Sequence, residues 1–355
     1  MKETKILNLK IFQGLSSKIR FEKVILSKYM EIFKNNFDNL SEDDKALLDS
    51  YFRGYSYRGA GYTLVANYVW RDVYCLNWEV YEDLLLLSGS NCMDENPKAI
   101  FSMPTTRTGE YDADKLRTAV LYAKDKFEDA GFEFRMGMIP EHMLPLLEEA
   151  FPGEVEFIEN RDEDEYVYLK EKMITLSGRA LHKKRNHLNF FKKNYVYEAR
   201  RLTLEDTDIV MNLVKDLIDE KNPDENDFEE RVETMDPDDL KTLKAEEYAI
   251  SENMKFVESA RMFSVGIFID GDLVAFSLGE RLTEDMAVAH FEKARSEYRG
   301  LYQIVASEFC KLLPDDVKYI NREEDMGIEN LRHAKESLRP ETFVRKFSVK
   351  FKQNS

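Results

Sequence analysis

The chain has 355 residues and a net charge of −17, from 68 acidic and 51 basic side chains, a length that suits two domains at ~150 residues each. Its 43% hydrophobic and 12% aromatic content fills ordinary cores and excludes disorder over most of the length. So acidic a balance opposes unspecific binding to nucleic acid or anionic lipid, and no stretch reaches the ~18 uncharged apolar residues of a membrane span or the apolar core of a signal peptide.

In chain order, apolar residues at helical spacing (Val24, Ile25, Tyr29, Ile32, Phe33) predict a helix over 21–35, and Ser41 caps another from Glu42. The aromatic block from Tyr62 to Leu87, with Trp70, Tyr74, Trp78 and Leu84 to Leu87, reads as strands, as does Ala99 to Met103. A helix is predicted from Ala113 to Ala130, ended by Gly131, then a strand from Phe132 to Met138 and a helix with Pro140 in its first turn, running to about Ala150. After the acidic stretch Glu154 to Glu165 come a strand (Tyr166 to Leu169) and helices over Lys170 to Leu176 and Gly178 to Lys193.

The second half opens with a strand (Val196 to Leu202), a helix (Leu204 to Leu217) and an acid-rich loop or short helical piece over 219–239. A helix over Glu246 to Ser259 precedes strands Met262 to Ile269, Leu273 to Leu282 and Ala287 to Lys293, the first two joined by the hairpin signal Asp270-Gly271-Asp272. A helix (Gly300 to Leu313), a strand at Tyr319, a short helix (Glu329 to Lys335) and a last strand (Phe343 to Phe351) complete it. Each half mixes helices with a largely antiparallel sheet in similar order, which suggests a duplicated α/β unit with a connector near 170–194. The three cysteines, Cys75, Cys92 and Cys310, are odd in number and lack CxxC spacing. They argue against a disulfide framework or structural zinc and for a reducing compartment, so the chain is expected to be soluble and cytoplasmic.

Three constellations carry chemistry. The first is the strand–turn–helix from Val288 through Glu292 to Arg299-Gly300-Leu301-Tyr302. A glycine at a helix entrance exposes backbone N–H groups to an anion, and Arg299 can add a bidentate contact. An ordinary turn before a core-filling helix (Leu301, Ile304, Val305, Phe309) fits the same residues. The second is the connector, where residues 179–193 hold six Lys/Arg and no acid. Leu181, Leu188, Phe191 and Tyr195 form one helical stripe, and Arg179, Lys183, Asn186, Phe190 and Lys193 face the other way. Such a face suits a phosphate-rich partner, and equally a solvated face neutralising its acidic neighbours. The third runs from Asn321, Arg322, Glu323 and Glu324 to Arg332 and Lys335. Asn321 and Arg322 can hold a carbonyl or carboxylate and Glu323 or Glu324 can act as a base, while a salt-bridged turn is the plain alternative. There is no GxSxG elbow, P-loop or HExxH, and the five histidines show no metal spacing.

The segments LSGRALHKKRNHLNFFKKNY (176–195), FEKARSEYRGLYQ (291–303) and INREEDMGIENLRHAKESLRP (320–340), with the aromatic block Tyr68 to Trp78, resemble a bacterial family grouped with the C-terminal domain of phosphatidylglycerol lysyltransferases. The resemblance implies an α/β (α+β) fold of two GNAT-like (acyl-CoA N-acyltransferase) domains in tandem, over 1–169 and 195–355, around a helical connector at 170–194. It further implies transfer of an acyl or aminoacyl group, from aminoacyl-tRNA or acyl-coenzyme A, to an amine or hydroxyl acceptor. On that reading Glu292, Asn321, Arg322 and Glu323 are the catalytic candidates. Lys183, Lys184, Arg185, Asn186, Arg299, Gly300, Tyr302, Arg332 and Lys335 are the donor or phosphate contacts, and no metal is needed. The family's pyrophosphate pattern, Q/R-x-x-G-x-G/A, begins at Arg299 but meets Tyr302 and Ile304 where small residues belong, which weakens coenzyme A binding. Two alternatives stand beside this: a non-catalytic small-molecule module on the same scaffold, and a coenzyme A-dependent N-acetyltransferase. The chain lacks the multi-span membrane domain of the lipid enzymes, so a soluble acceptor is expected, with tRNA as a partner and no stable membrane insertion.

Overall fold

The computed structural model describes residues 32–38, 40–54, 57–92, 94, 98–220 and 237–352. Of the helix expected over 21–35 only 32–35 are described, and 221–236 of the acid-rich segment likewise lie outside the described residues.

The strands in chain order are β1 Asn35–Asn36, β2 Asn77–Tyr81, β3 Leu84–Gly89, β4 Ile100–Phe101, β5 Met136–Pro140, β6 Val155–Glu159 and β7 Glu165–Leu169. They continue with β8 Glu198–Arg200, β9 Met262–Ile269, β10 Asp272–Arg281, β11 Met286–Ala294, β12 Tyr319–Asn321, β13 Thr342–Val344 and β14 Lys346–Phe351. The helices are α1 Glu42–Gly54, α2 Leu64–Trp70, α3 Ala113–Asp129, α4 Leu144–Ala150, α5 Lys170–Thr175 and α6 His182–Asn194, then α7 Thr207–Glu220, α8 Pro237–Met254, α9 Leu301–Leu312 and α10 Glu329–Glu336.

Local chemistry explains the clearest elements. Asp112 caps α3 by accepting from the Lys115 N–H at 2.8 Å, and Leu116, Ala119, Val120, Ala123 and Phe127 fall on its buried stripe. Asp270 and Gly271, at φ +52° and +93°, make the tight turn between β9 and β10, which needs two residues in the left-handed region.

Two seven-stranded sheets result, ordered β1-β2-β3-β4-β5-β14-β6 and, from the matching edge, β8-β9-β10-β11-β12-β7-β13. Both have one parallel pair at the same place, β4 with β5 and β11 with β12. The two units therefore share a topology, with one exchange: β7 sits in the second sheet and β14 in the first. The expected limits at 169 and 195 cut across this pairing, because each sheet takes its sixth strand from the far side of the sequence.

Several expectations are corrected. Leu64–Trp70 is a helix, not a strand, because the Thr63 hydroxyl caps it by accepting from the Ala66 N–H at 3.0 Å. The single last strand is two, β13 and β14, in different sheets. The acidic stretch contains β6, which pairs with β14. Pro140 ends β5, and Pro145 is the proline in the first turn of α4. Cys75 and Cys92 form a disulfide with Cα atoms 6.0 Å apart. The β2–β3 hairpin folds the chain back, and Ser90 and Cys92 donate to the Tyr74 and Val73 carbonyls at 2.7 and 3.0 Å. The cysteine argument for a reducing compartment falls with it. Among the described residues no helix is long and apolar enough to cross a membrane.

Because β14 alone joins β5 to β6 and buries Phe347 and Val349 in the first core, a chain stopped after Arg345 is expected to lose amide protection across Met136–Pro140 and Val155–Glu159, neither of which it alters. Hydrogen exchange reads this directly, and retained protection there would show that the first sheet closes without its borrowed strand.

Candidate active site

β11 and β12 run parallel only from Met286↔Tyr319 to Val288↔Asn321. Beyond that β11 continues to Ala294, paired with β10 alone, and β12 ends. The two strands diverge there, and the edge of β11 facing the gap has no strand beside it. Against β10, Phe291 opposes Leu278 and Ala289 opposes Gly279, so His290 is an extra, bulged residue. A bulge re-aims its side chain. Gly279 permits it, since a Cβ there would lie 2.0 Å from the Val288 carbonyl oxygen.

Asn321 ends β12, and beyond it Glu323 turns to His290 whereas Arg322 turns to Glu292, so the four expected catalytic residues divide into two clusters. On the face toward the first unit, His290 Nδ1 lies 2.7 Å from Glu323 Oε1 and its Nε2 lies 3.0 Å from Glu280 Oε1. Thr63 Oγ1, at the head of α2, donates to Glu280 Oε1 at 2.6 Å. Beside this chain Asn321 Nδ2 donates to Glu165 at 2.5 Å and to the Arg58 carbonyl at 2.9 Å. Glu165 also takes the Ala60 N–H and, at 2.6 Å, the ammonium of Lys346.

Burial opposes the charged form of His290, but the two carboxylates outweigh it and lift its pKa to about 10. At neutral pH it is an imidazolium held between carboxylates. Burial also lifts Glu323 above the ordinary carboxylate range, against the pull of His290.

On the opposite face Arg322 Nη2 donates to Glu292 Oε1 at 2.5 Å. Burial raises the Glu292 carboxyl, and Arg322 works against that rise. Lys184 reaches toward this pair: burial first, then the Arg322 charge, lowers its pKa. Burial first, then the Glu292 charge, raises the Tyr302 phenol above its ordinary range.

The expected donor contacts are placed as follows. Gly300, at φ +96°, lies against α6 so closely that a Cβ would meet the His187 carbonyl oxygen at 2.2 Å. Arg299 stacks on the Phe190 ring at 4.9 Å. The connector helix thus lies across the N-terminus of α9. Its stripe of Leu188 and Phe191 is buried, and Lys183, Phe190, Lys192 and Lys193 are exposed. Arg185 turns inward, donating to the Leu176 and Gly178 carbonyls at 2.7 and 3.1 Å, and Asn186 approaches His182 at 3.5 Å. Arg332 and Lys335 hold the chain itself: Arg332 grips buried Asp325 at 2.7 and 2.9 Å, and Lys335 donates to the carbonyls of Arg322, Glu323 and Glu324 at 2.7, 3.1 and 2.5 Å. They fix the loop that carries Glu323, whose φ is +56°. Among the described residues no cluster could hold a metal ion.

The family described as phosphatidylglycerol lysyltransferase, C-terminal, matches residues 53–350. The chain belongs to this family. A crystal structure of a conserved protein of unknown function from Bacteroides thetaiotaomicron is similar with a TM-score of 0.75 and 24% identity, over 89% of this chain and 99% of that one. The C-terminal domain of a putative lysylphosphatidylglycerol synthetase from Agrobacterium fabrum gives 0.52 and 11%, over 80% and 86%. FemX gives 0.56 and 8%, over 87% and 96%. The fold is that of tandem GNAT-like proteins. An uncharacterized protein of Mycoplasmoides gallisepticum is 27% identical over 191 residues, 52% of this chain and 55% of that one, so the chain spans about half the length of this curated relative.

In this member of the phosphatidylglycerol lysyltransferase C-terminal family, Glu280, His290, Thr63, Glu165 and Lys346 join the site without having been expected there. The one signal available was an ionisable residue inside an apolar strand, as in LVAFSLGE ending at Glu280 and AVAHFE around His290.

His290 has a folded pKa of about 10 against an ordinary 6.5. Its stabilising contribution is therefore complete below about pH 6.5 and is lost as pH climbs through 10. Thermal melts across that range are expected to fall with rising pH in the wild type. His290→Gln is expected to start lower and show a flatter dependence, and an unchanged slope would mean that the imidazolium is not what titrates.

Proposed function

We propose that this protein transfers an aminoacyl group from aminoacyl-tRNA to an amine. The observation that carries the proposal is the seating of α6 on Gly300, which covers the N-terminus of α9 and leaves Lys183, Phe190 and Lys193 exposed on one face of α6. A coenzyme A pyrophosphate finds no open glycine loop there, whereas a nucleic acid backbone finds a basic face with an aromatic. Family membership supports the same class of chemistry.

The donor ester would lie in the divergence, its carbonyl oxygen polarised by N–H groups on the unpaired edge of β11. The acceptor nitrogen attacks the carbonyl carbon, forming the C–N bond as the ester C–O bond breaks. Glu323, raised by burial, takes the proton from nitrogen and returns it to the departing ribose oxygen, with His290 holding its orientation. Arg322 and Glu292 form a charged wall on the other face, so Arg322 and Glu323 do not act on one atom.

Direct binding of the full chain to charged tRNA and to acetyl-coenzyme A, at stated salt, tests this. Binding to tRNA is expected to weaken steeply with salt, and the exposed pair Lys183→Glu with Lys193→Glu to weaken it ~10-fold or more with a shallower salt slope. Glu323→Gln is expected to retain tRNA and lose turnover ~100-fold. Tight coenzyme A binding without tRNA binding would overturn the proposal in favour of an N-acetyltransferase. Binding of neither would favour a non-catalytic module, a reading to which the covered α9 terminus also lends itself.

A further inference from the structure

Between the two units lies a cavity of about 210 Å³, walled by Asp49, Arg53 and Thr63 from the first and by Ala260, Arg261 and Glu280 from the second. It is separate from the β11–β12 divergence, and two groups of opposite charge, Glu280 and Arg261, line it. Glu280 is 4% exposed. Its Oε1 serves both Thr63 and His290, and its Oε2 makes no hydrogen bond among the described residues. Arg261 is half-buried and aimed by its own strand neighbours, donating to the Arg281 and Leu282 carbonyls at 2.6 and 3.4 Å. It makes no close ion pair among the described residues, its charge being offset at longer range by Glu280 and Asp49, whereas Arg53 is paired with Asp49 at 2.5 Å.

We propose that this cavity binds a small zwitterion of amino-acid size, its ammonium on Glu280 Oε2 and its carboxylate on the Arg261 guanidinium. A simple anion would meet Arg261 but lie against the Glu280 carboxylate. A simple amine would do the reverse. The volume lies below the ~300 Å³ at which sites for drug-sized ligands begin, and the remaining wall, with Leu64 and Phe256, is apolar enough for a short side chain. Both units supply walls, so the site exists only in the assembled chain. Through Glu280, His290 and Glu323 the bound ammonium is linked by hydrogen bonds to the divergence. The inference stands apart from the transferase proposal, since it concerns binding alone.

Calorimetric titration of the full chain with L-alanine, L-serine and L-lysine, against ethylamine and propionate as single-charge controls, tests it. At least one zwitterion is expected to bind below ~10 mM and ~10-fold or more tightly than either control. Glu280→Gln and Arg261→Met are each expected to weaken that binding ~10-fold or more. Because Glu280→Gln also loosens His290, Ala260→Trp serves as the second variant. Ala260 is exposed at the cavity wall, so the indole is expected to block entry while the melting temperature stays near that of the wild type. No zwitterion bound by the folded wild type, or propionate bound as tightly as the best zwitterion, would overturn the proposal. So would undiminished binding by Ala260→Trp. Amino-acid binding without any transfer would count against the transferase reading and leave this one standing.

Discussion

A buried ammonium–carboxylate pair, Lys346 with Glu165, ties this molecule together. Lys346 is the first residue of β14 and Glu165 the first of β7, the two strands that each unit takes from the far side of the sequence, and their side chains are 5% and 0% exposed. Burial opposes the Lys346 charge, and Glu165 and Glu324 more than restore it, so the ammonium stays charged well beyond its ordinary range. A pair of this kind adds little net stability over an apolar match. Removing one member strands the other, at a cost of about 3–5 kcal/mol. Its value here is registry: it fixes where both exchanged strands begin. Glu165 also takes Asn321 and the Ala60 N–H, so the same carboxylate that pins the exchange positions the loop carrying Glu323.

From that point the site follows by geometry. Asn321 Oδ1 accepts the Glu323 N–H at 2.8 Å, and Lys335 collects three successive carbonyls of the loop. Glu323 is thereby held in a left-handed conformation where its carboxylate meets His290, itself aimed by the bulge on β11. The imidazolium is stable because two carboxylates face it, and one of these is fixed by Thr63 at the head of α2 in the other unit. Carboxylates from β10 and from the loop after β12 thus meet on one ring, and Thr63 reaches it through Glu280. Such convergence is what preorganisation requires, since each group is already committed before any ligand arrives.

Much of the second sheet was legible in the sequence. Strands β9 to β11 show apolar runs broken by Asp270-Gly271, and α9 shows a plain helical stripe, because their signals are local. The connector stripe of Leu188 and Phe191 and its exposed opposite face were legible for the same reason. What escaped was non-local or ambiguous. Thr63 is an ordinary threonine until it caps α2, and the aromatic content after it argues for strand. The break between Val344 and Lys346 that sends two adjacent strands to different sheets leaves no mark on hydrophobic periodicity. Arg322 and Glu323 are neighbours in sequence but occupy opposite faces, so a motif read as one cluster is two. The disulfide was missed by counting cysteines instead of tracing the hairpin that returns Cys92 to Cys75.

The repeated topology also lets the two units be compared strand by strand. In the first sheet the place of the β11–β12 divergence belongs to β4 and β5, which touch in register only at Phe101↔Met136. At the start of that pair Phe101, Phe127 and Phe134 meet one another at centroid distances of 5.2–6.5 Å, and Phe101 and Phe127 are fully buried. In the second sheet the chain beside the β11–β12 divergence carries Glu292 and Arg322, groups that are expensive to bury and contribute little to a core. The first unit meets this site through the Thr63 hydroxyl, the Arg58 carbonyl and the Ala60 N–H. It thus supplies part of the wall against which His290 and its carboxylates are held.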